Sequence, residues 1–395
     1  MKQPATPERK KLLLVGGGHA HLRIINHIPQ FTARGLDVTV IDSSTELYYS
    51  GMMPAVLGGM VSPAAARIPV ADIVSRGGGR FVQQQATRID PARRVVETEA
   101  GEFPWHVASI AIGSRVQLPI PVASEAVVLA AKPVGQLPEL FPTVVRRMEL
   151  HRDRPVRVVF IGGGASAVEL TGNLAGRMER SRPELRERLE LAIVSRGAML
   201  VPRMDRKVQQ IAHASLSGRG VRLYLNSAPR AVSPSAVEMA HGNALPADIT
   251  VFCTGLSAPE VIASSRLPHG DDGTLLVNDT LRMNGAPLYG GGDCIGIEGL
   301  KLERIGVHAV RQSGLLLHNV SLELSGDAPT TLQRYVPPEE PMLILNLGDG
   351  RGILVKGARV VHGKLPYLLK ERIDWAFVRS GGVRTRPSLW GPPRR

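Results

Sequence analysis

The chain has 395 residues, of which 43% are hydrophobic and 21% charged, a balance typical of a globular enzyme with two or three buried cores. Its formal net charge is +13, but aromatic residues make up only 4% and are not interleaved with basic ones, so nucleic acid is the least favoured partner. Because no run of 18 apolar residues occurs and the N-terminal apolar run is too short for a signal peptide, we expect a cytoplasmic protein.

The first predicted elements form a βαβ unit. The apolar run Leu12–Val15 predicts a buried parallel strand, the glycines Gly16–Gly18 open a helix, and a second strand at Val38–Ile41 ends in Asp42. Such a turn lets the backbone approach a pyrophosphate at a helix N-terminus, and the carboxylate can accept hydrogen bonds from a ribose. Because His21 replaces the third glycine of the usual G-x-G-x-x-G pattern, we expect a local adjustment of helix packing.

A second copy of this unit follows 146 residues later (162 minus 16). The strand Val156–Ile161 precedes Gly162–Ala167, which has the G-x-G-x-x-A form, and the strand Leu191–Val194 follows the predicted helix. Two such units predict two bound dinucleotides and electron transfer between them.

The remaining elements connect and complete these units. Short strands between residues 81 and 113 end at Gly113, and the strand Ile249–Phe252 ends in a turn at residues 253–255. A helix is predicted from Gly306 to about Val320. Residues 336–395 read as a separate C-terminal piece, in which residues 351–395 carry 11 basic and 2 acidic residues, a net charge of +9.

The two cysteines, Cys253 and Cys294, are far apart in the sequence. Their spacing excludes a redox disulfide or zinc ribbon made from neighbouring cysteines, and neither has a catalytic context. We expect a packing role for both, and we expect no metal site.

The order of these motifs resembles the pyridine nucleotide–disulfide oxidoreductase superfamily. Two glycine fingerprints, the turns at residues 111–114 and 253–255, and the pair Gly292-Asp293 occur over nearly the whole chain. The resemblance implies an α/β fold with two Rossmann-like domains and a small C-terminal segment. An FAD domain (residues 1–115 and 261–335) would contain an inserted NAD(P)H domain (residues 116–260), followed by residues 336–395.

The resemblance also implies the cofactors and their sites. FAD would occupy the first fingerprint, with Asp293 on the ribitol, unless Asp293 is only a helix cap. NADH or NADPH would occupy the second. The implied FAD-binding residues are Gly16, Gly17, Gly18, His19, Ala20, Asp42, Ser50, Gly51, Met52, Pro54, Gly113 and Asp293. The implied nucleotide-binding residues are Gly162, Gly164, Ala167, Ser195, Arg196 and Gly255.

Disulfide reductases of this superfamily carry a cysteine pair where this chain has Tyr49–Pro54. Without a dithiol, electrons must leave the flavin by direct contact with the acceptor. The chain resembles the type II NADH:quinone oxidoreductases, in particular the subgroup of demethylphylloquinone reductases and reductases fused to selenide–water dikinases. That subgroup shares the Tyr-Ser-Gly-Met-x-Pro loop and the Gly-Val-x-Ala-Val-Arg-Gln helix found here at residues 306–312. The acceptor implied by this resemblance is a quinone.

Three residues are candidates for the catalytic chemistry. Glu169 resembles the family glutamate near the nicotinamide, although a first-turn carboxylate stabilised by the helix dipole explains it equally well. Gln312 and His308 lie four residues apart and should share a helix face bordering the quinone site. Gln312 would bond a quinone or flavin carbonyl, and His308 would deliver protons, unless it is a structural histidine.

The end of the second unit's second strand bears on nucleotide choice. NADH-specific relatives carry an acidic residue there, whereas this chain has Ser195 followed by Arg196. A missing carboxylate removes repulsion of a 2′-phosphate, which Arg196 and Arg203 could bind, so we predict that NADPH is tolerated or preferred. The alternative is that Arg196 stacks on adenine and discriminates little.

The segment Leu365–Arg379 is predicted to be an amphipathic helix with Lys370, Glu371 and Asp374 on its polar side. Together with the basic charge of the C-terminal segment, this helix predicts peripheral attachment to the anionic inner face of the cell membrane. The alternatives are a homodimer interface or docking onto the FAD domain. Two other functions stay open: a reductase of a ferredoxin-like protein carrier, and a flavin or nucleotide redox sensor.

Overall fold

The computed structural model describes residues 9–326 and 331–382. The part of the chain before residue 117 contains ten strands and four α-helices in the described range. In chain order the strands are β1 (Lys11–Val15), β2 (Asp37–Asp42), β3 (Leu47–Tyr48), β4 (Arg67–Ile68), β5 (Arg80–Gln83), β6 (Arg88–Asp90), β7 (Val95–Thr98), β8 (Gly101–Pro104), β9 (Val107–Ile110) and β10 (Arg115–Val116). The helices are α1 (Leu22–Asn26), α2 (Ile28–Ala33), α3 (Met53–Leu57) and α4 (Val70–Arg76).

Residues 117–260 contain the second βαβ unit. The strands are β11 (Val128–Ala130), β12 (Val156–Ile161), β13 (Leu189–Val194), β14 (Arg222–Tyr224), β15 (Pro229–Val232), β16 (Ala236–Met239), β17 (Ala244–Pro246), β18 (Ile249–Phe252) and β19 (Leu256–Ser257). The helices are α5 (Leu140–Leu150), α6 (Ala165–Ser181) and α7 (Arg206–Ser217).

The rest of the described chain returns to the first unit and then adds a C-terminal piece. Its strands are β20 (Leu275–Val277), β21 (Leu288–Gly290), β22 (Ile295–Ile297), β23 (Leu343–Asn346), β24 (Gly352–Lys356) and β25 (Arg359–Gly363). Its helices are α8 (Val261–Ser264), α9 (Gly306–Ser325) and α10 (Lys364–Arg379).

Two five-stranded parallel sheets organise the molecule. The first has the strand order β21-β9-β1-β2-β5, and the second has the order β11-β18-β12-β13-β14. In each sheet the strand before the glycine turn, β1 or β12, is the central one, and it is buried on both faces as parallel strands require. The second sheet is built from residues 128–252, which lie in the chain between strands of the first sheet.

Two small elements join these sheets and close the chain. The two-stranded antiparallel pair β10–β19 connects the segment leaving the first sheet with the segment leaving the second. The antiparallel sheet β23-β24-β25 packs with α10 and α6 at the C-terminal end. Residues of this C-terminal piece belong to both cores, because Leu347 packs in the core of the second sheet and Phe377 in that of the first.

The structure confirms the predicted C-terminal helix but corrects its orientation. The side chains of Leu365 and Leu368 are 78% and 55% exposed, whereas Asp374, predicted on the polar outer side, is only 5% exposed. The helix therefore turns Lys370 and Asp374 toward the body of the protein, where they pair with each other. Residues 383–395, which carry four of the basic residues counted in the C-terminal charge, lie outside the described residues.

Candidate functional site

The first glycine turn is tightly enclosed by protein atoms. Gly16 has a φ of +92°, which favours glycine, and its amide donates to the carbonyl of Ile41 at the end of β2. The amide of Gly17 donates to Oδ2 of Asp42 over 2.6 Å. A Cβ atom at Gly18 would lie 2.2 Å from the carbonyl oxygen of Ala111, so no larger residue fits there without displacing the backbone.

His21 explains how this turn manages without its third glycine. Its imidazole is fully buried, with Nδ1 2.7 Å from the carbonyl oxygen of Gly16 and Nε2 2.8 Å from Oγ of Ser109 on β9. Burial lowers the pKa of His21 to about 4, so the ring is neutral near pH 7. The predicted adjustment is visible in the helix, which starts as a 3-10 turn at His19–His21 and is broken between α1 and α2.

The second glycine turn has the same backbone plan with fewer side-chain contacts. Gly162 has a φ of +125°, and its amide donates to the carbonyl of Val194. Residue 194 thus matches residue 41, and Ser195 takes the position of Asp42. A Cβ atom at Gly163 would meet Oγ of Ser195 at 2.6 Å, whereas one at Gly164 would meet nothing within 4 Å.

The surface beside Ser195 is basic. Ser195 is buried and its Oγ accepts a hydrogen bond from the amide of Gly197, while Arg196 next to it is exposed. Arg203 is also exposed and lies 3.7 Å from a carboxylate oxygen of Glu303.

A charged cluster links the two halves near the first turn. Asp293 lies in a 3-10 turn after β21, and its Oδ2 accepts a hydrogen bond from Oγ of Ser114 over 2.9 Å. The ammonium of Lys132, which follows β11 of the second sheet, forms an ion pair with the same oxygen. Burial opposes ionisation of Asp293, but Lys132 and Ser114 hold its pKa below the ordinary value, so the carboxylate is charged. Sequence reasoning missed Lys132, because its partner is 161 residues away.

His19 lies in the first turn next to this cluster. Its ring stacks on Phe377 of α10 with centroids 6.0 Å apart, and its Nε2 is buried without a hydrogen-bond partner among the described residues. Burial, reinforced by the charge of Lys132, lowers the pKa of His19 to about 4. A neutral imidazole with one unsatisfied nitrogen fits a bound polar group at this position.

His308 and Gln312 share the buried face of α9. The predicted hydrogen bond to a quinone or flavin carbonyl would use the Nε2 donor of Gln312 and stays a prediction. The side chain of Gln312 is only 1% exposed, and its Oε1 accepts a hydrogen bond from the amide of Gly292 over 2.7 Å. That oxygen therefore supports the turn that carries Asp293. His308 lies with Nδ1 2.8 Å from the hydroxyl of Tyr335, and burial, together with the charge of Arg311, lowers the pKa of the histidine.

Glu169, in the first turns of α6, is surrounded by the C-terminal piece. Its Oε1 accepts a hydrogen bond of 2.8 Å from the amide of Asn346 at the end of β23. Burial raises the pKa of Glu169 to about 7, and the nearby ammonium of Lys370 opposes that rise. The side chain is thus more than a first-turn carboxylate on a helix dipole, because groups of a distant segment face it.

Lys370 and Asp374 close the site from α10. Nζ of Lys370 donates to the carbonyl of Gly51 over 2.7 Å and to Oδ2 of Asp374 over 2.9 Å. Burial disfavours the charge on Lys370, but Asp374 and Glu169 raise the pKa of the ammonium above its usual value. From the sequence, both residues were placed on the outer side of the helix and not in the site. Opposite charges spaced four apart on one helix were the available indication that they pair.

The Tyr49–Pro54 loop, which is predicted to lie beside the flavin, packs against helix α10. The ring centroids of Tyr49 and Phe377 lie 4.5 Å apart, and the carboxylate of Asp374 lies near the Tyr49 hydroxyl. Burial and that carboxylate raise the pKa of Tyr49 well above its ordinary value. Met52 and Pro54 are buried in the core, so from this loop Ser50 and Gly51 are the more accessible of the predicted contacts.

Both cysteines are buried as free thiols, as the packing role requires. Burial raises the pKa of Cys253 to about 12 and that of Cys294 to about 11, so neither is a thiolate at neutral pH. In the described part of the chain, no helix is long and apolar enough to cross a membrane.

Comparisons with known proteins agree with this architecture. Residues 10–313 match the family described as pyridine nucleotide-disulphide oxidoreductase. The demethylphylloquinone reductase NdbB of Synechocystis is 23% identical over 92% of this chain and 93% of its own length. A type II NADH:quinone oxidoreductase of Staphylococcus saprophyticus is 23% identical over 95% of this chain and 97% of its own length.

A solved structure shows the same fold. The NDH2 of Plasmodium falciparum in complex with NADH superimposes with a TM-score of 0.78 and 12% identity, covering 96% of this chain and all of that one (100%). The predicted α/β architecture with two Rossmann-like sheets is confirmed.

Proposed function

The chain belongs to the pyridine nucleotide-disulphide oxidoreductase family, and we propose that it transfers electrons from NAD(P)H through FAD to a quinone. The observation that supports this proposal most strongly lies at the Ser50–Met52 turn. The disulfide reductases have a thiol pair there, whereas here Lys370 binds the turn and pairs with Asp374. A quinone takes up two electrons and two protons, which suits a site with ionisable groups and no thiol relay. Two relatives that align over more than nine-tenths of the chain are named as quinone reductases.

The first glycine turn fits FAD. Each oxygen of Asp42 accepts one backbone amide, from Gly17 or Ser44, and keeps a lone pair for a ribose hydroxyl. The charged Asp293 and the unpartnered, buried nitrogen of His19 lie close to the same turn and would offer further polar contacts. FAD supplies the hydride and electron-transfer chemistry, and these residues would bind and orient it.

The second glycine turn fits NADPH or NADH. Gly164, where a Cβ atom would meet nothing within 4 Å, leaves room for a pyrophosphate at the start of α6, which carries the positive end of the helix dipole. Gly162 instead lets the turn pack closely on the carbonyl of Cys253. Ser195 and the exposed Arg196 would tolerate and bind a 2′-phosphate, so we propose that NADPH is the preferred donor.

Glu169 would exchange the protons, and the charged ammonium of Lys370 would lie beside it. A carboxyl group with a pKa of about 7 is well matched to release and take up a proton at neutral pH. We therefore place Glu169, rather than His308, as the general acid, because the pKa of His308 is lowered and its Nδ1 is engaged by Tyr335.

The outer face of α10 supports peripheral membrane attachment. Leu365 and Leu368 are exposed, and basic residues lie around them. Insertion of two leucines into an anionic bilayer surface would add to the attraction of the basic charges. Cosedimentation with anionic liposomes should fall in L365S/L368S, while L150S, which removes an exposed leucine at the end of α5, should bind as the unchanged protein does. Unchanged liposome binding but loss of a homodimer in L365S/L368S would assign this face to a second copy.

The function is tested by steady-state turnover of the flavin-loaded protein with NADPH and either a soluble quinone or a ferredoxin. We expect quinone reduction to exceed ferredoxin reduction and Glu169→Gln to lower it. Faster ferredoxin reduction would favour a protein-carrier reductase, and flavin that NADPH does not bleach would favour a redox sensor.

A further inference from the structure

The β23–β24 connection lies directly on helix α6. Two helical glycines make this approach possible, because a Cβ atom at Gly172 would lie 2.5 Å from the carbonyl oxygen of Leu347, and one at Gly176 would lie 2.0 Å from that of Gly348. Leu347 is fully buried in the core of the second sheet. At these two positions the backbone of the loop lies directly against the backbone of the helix.

Every carbonyl of residues 346–348, the clasp loop, accepts a hydrogen bond from a side chain of the second unit. The carbonyl of Asn346 accepts from Asn173 over 3.1 Å, and that of Gly348 from Arg180 over 2.8 Å. The carbonyl of Leu347 accepts from Arg219 over 2.8 Å. These bonds fix the position of the loop along α6.

The carbonyls of the clasp loop bind the second unit, whereas the backbone amide of Asn346 points to the candidate site. It donates to Glu169, while the next amide in the chain, that of Leu347, donates to Arg351 within the hairpin. Because an edge-strand amide is fixed by its sheet, it can hold a carboxylate oxygen without the entropy cost of a mobile side chain.

We propose that the clasp loop is a positioning element for Glu169, with the amide of Asn346 fixing one carboxylate oxygen so that the other is directed to the reacting groups. The proposal deepens the proposed function, since it assigns to the C-terminal piece a role in the proton chemistry of that site. It also explains why this piece packs on α6 instead of forming a separate segment. The other charged groups that face Glu169 come from α10, namely Lys370 and Asp374.

The direct test removes the amide hydrogen. Asn346→Pro deletes the donor at an edge position where the hairpin ladder does not use it, and Asn346→Ala is the matched control that keeps it. The readout is the ionisation midpoint of Glu169, taken from the infrared carboxyl band of the full-length flavoprotein across the pH range, with Glu169→Gln as the blank. Loss of a charge-assisted hydrogen bond should raise the midpoint by about one pH unit in Asn346→Pro, with no matching rise in Asn346→Ala.

A second pair of variants covers the case in which Asn346→Pro does not fold. Gly176→Ala should push the clasp loop away from α6 and raise the midpoint in the same direction. Gly314→Ala on α9, where the nearest atom to the new Cβ is 3.7 Å away, should leave it unchanged. Equal midpoints in each variant and its control would overturn the proposal. Because this readout needs no acceptor, a protein that fails to reduce quinone but shows the shift would refute the proposed function alone.

Discussion

The two glycine turns share a backbone plan and differ at the third glycine, where a Cβ atom would overlap Ala111 at Gly18 but meet nothing within 4 Å at Gly164. In both, the second strand accepts a hydrogen bond from the first glycine amide, through Ile41 or Val194. The first turn is then fixed by the carboxylate of Asp42 and by the imidazole of His21, which has no counterpart at Ala167. This difference supports the proposal that the first site retains FAD and the second exchanges its nucleotide.

The helices behind the turns follow the same difference. After the second turn, α6 runs without interruption for 17 residues, because the small Ala167 packs directly on the sheet. After the first, a 3-10 turn and two short helices make room for His21. The helix of the first site is thus less regular, and His21 makes two hydrogen bonds in return, one to the carbonyl of Gly16 in the turn and one to Ser109 on β9.

The largest expected effect comes from adding one methyl group to the first turn, with the same change in the second turn as the control. Gly18→Ala should lose most of its bound flavin and be less stable to heat, because the new Cβ would overlap the carbonyl of Ala111. Gly164→Ala should keep its flavin and its thermal stability, since nothing lies within 4 Å. Flavin content and melting temperature measure both. Equal behaviour of the two variants would remove the contrast between the turns.

His21 should give the first unit a sensitivity to acid. Its pKa is about 4 when folded and about 6.5 when unfolded, so below pH 6.5 the unfolded chain binds a proton that the folded chain does not. The contribution of His21 to the free energy of unfolding is therefore fully present above pH 6.5. It is lost as the pH drops toward 4, by up to about 3 kcal/mol. Urea unfolding of the native protein and of His21→Gln across this range checks it. The native protein should lose more stability on acidification, and parallel curves would contradict the assignment.

A smaller effect is expected from making the second turn resemble the first. Ser195→Asp restores a carboxylate at the position that matches Asp42, and it should raise the KM for NADPH about tenfold by repelling the 2′-phosphate, a change of about 1.4 kcal/mol. The KM for NADH should change less or fall. Ser195→Ala serves as the control without charge. A native enzyme that strongly prefers NADH would contradict the NADPH assignment itself.

The strands and turns of both units were predictable because buried parallel strands and glycine turns have local patterns. The match between Asp42 and Ser195 followed from counting along those patterns, and the register of β2 and β13 agrees. The orientation of α10 was not predictable by the same means. A helical wheel places charged residues outward, but Lys370 and Asp374 neutralise each other and bury together.

Partners distant in the sequence were the other gap. The amide of Gly292 occupies the oxygen of Gln312, and Lys132 pairs with Asp293 from the other sheet. Neither contact has a local pattern, since each depends on how two segments meet in the folded chain. Gln312 and Asp293 could be singled out from the sequence, but the groups that bind them could not.

The proposed function requires two nucleotide sites that serve one flavin. Anaerobic stopped-flow absorbance of the purified flavoprotein tests it directly, with NADPH mixed first and a soluble quinone second. We predict that NADPH bleaches one FAD per chain and that the quinone restores the oxidised spectrum. A protein that binds no FAD, or a reduced flavin that the quinone does not reoxidise, would contradict it.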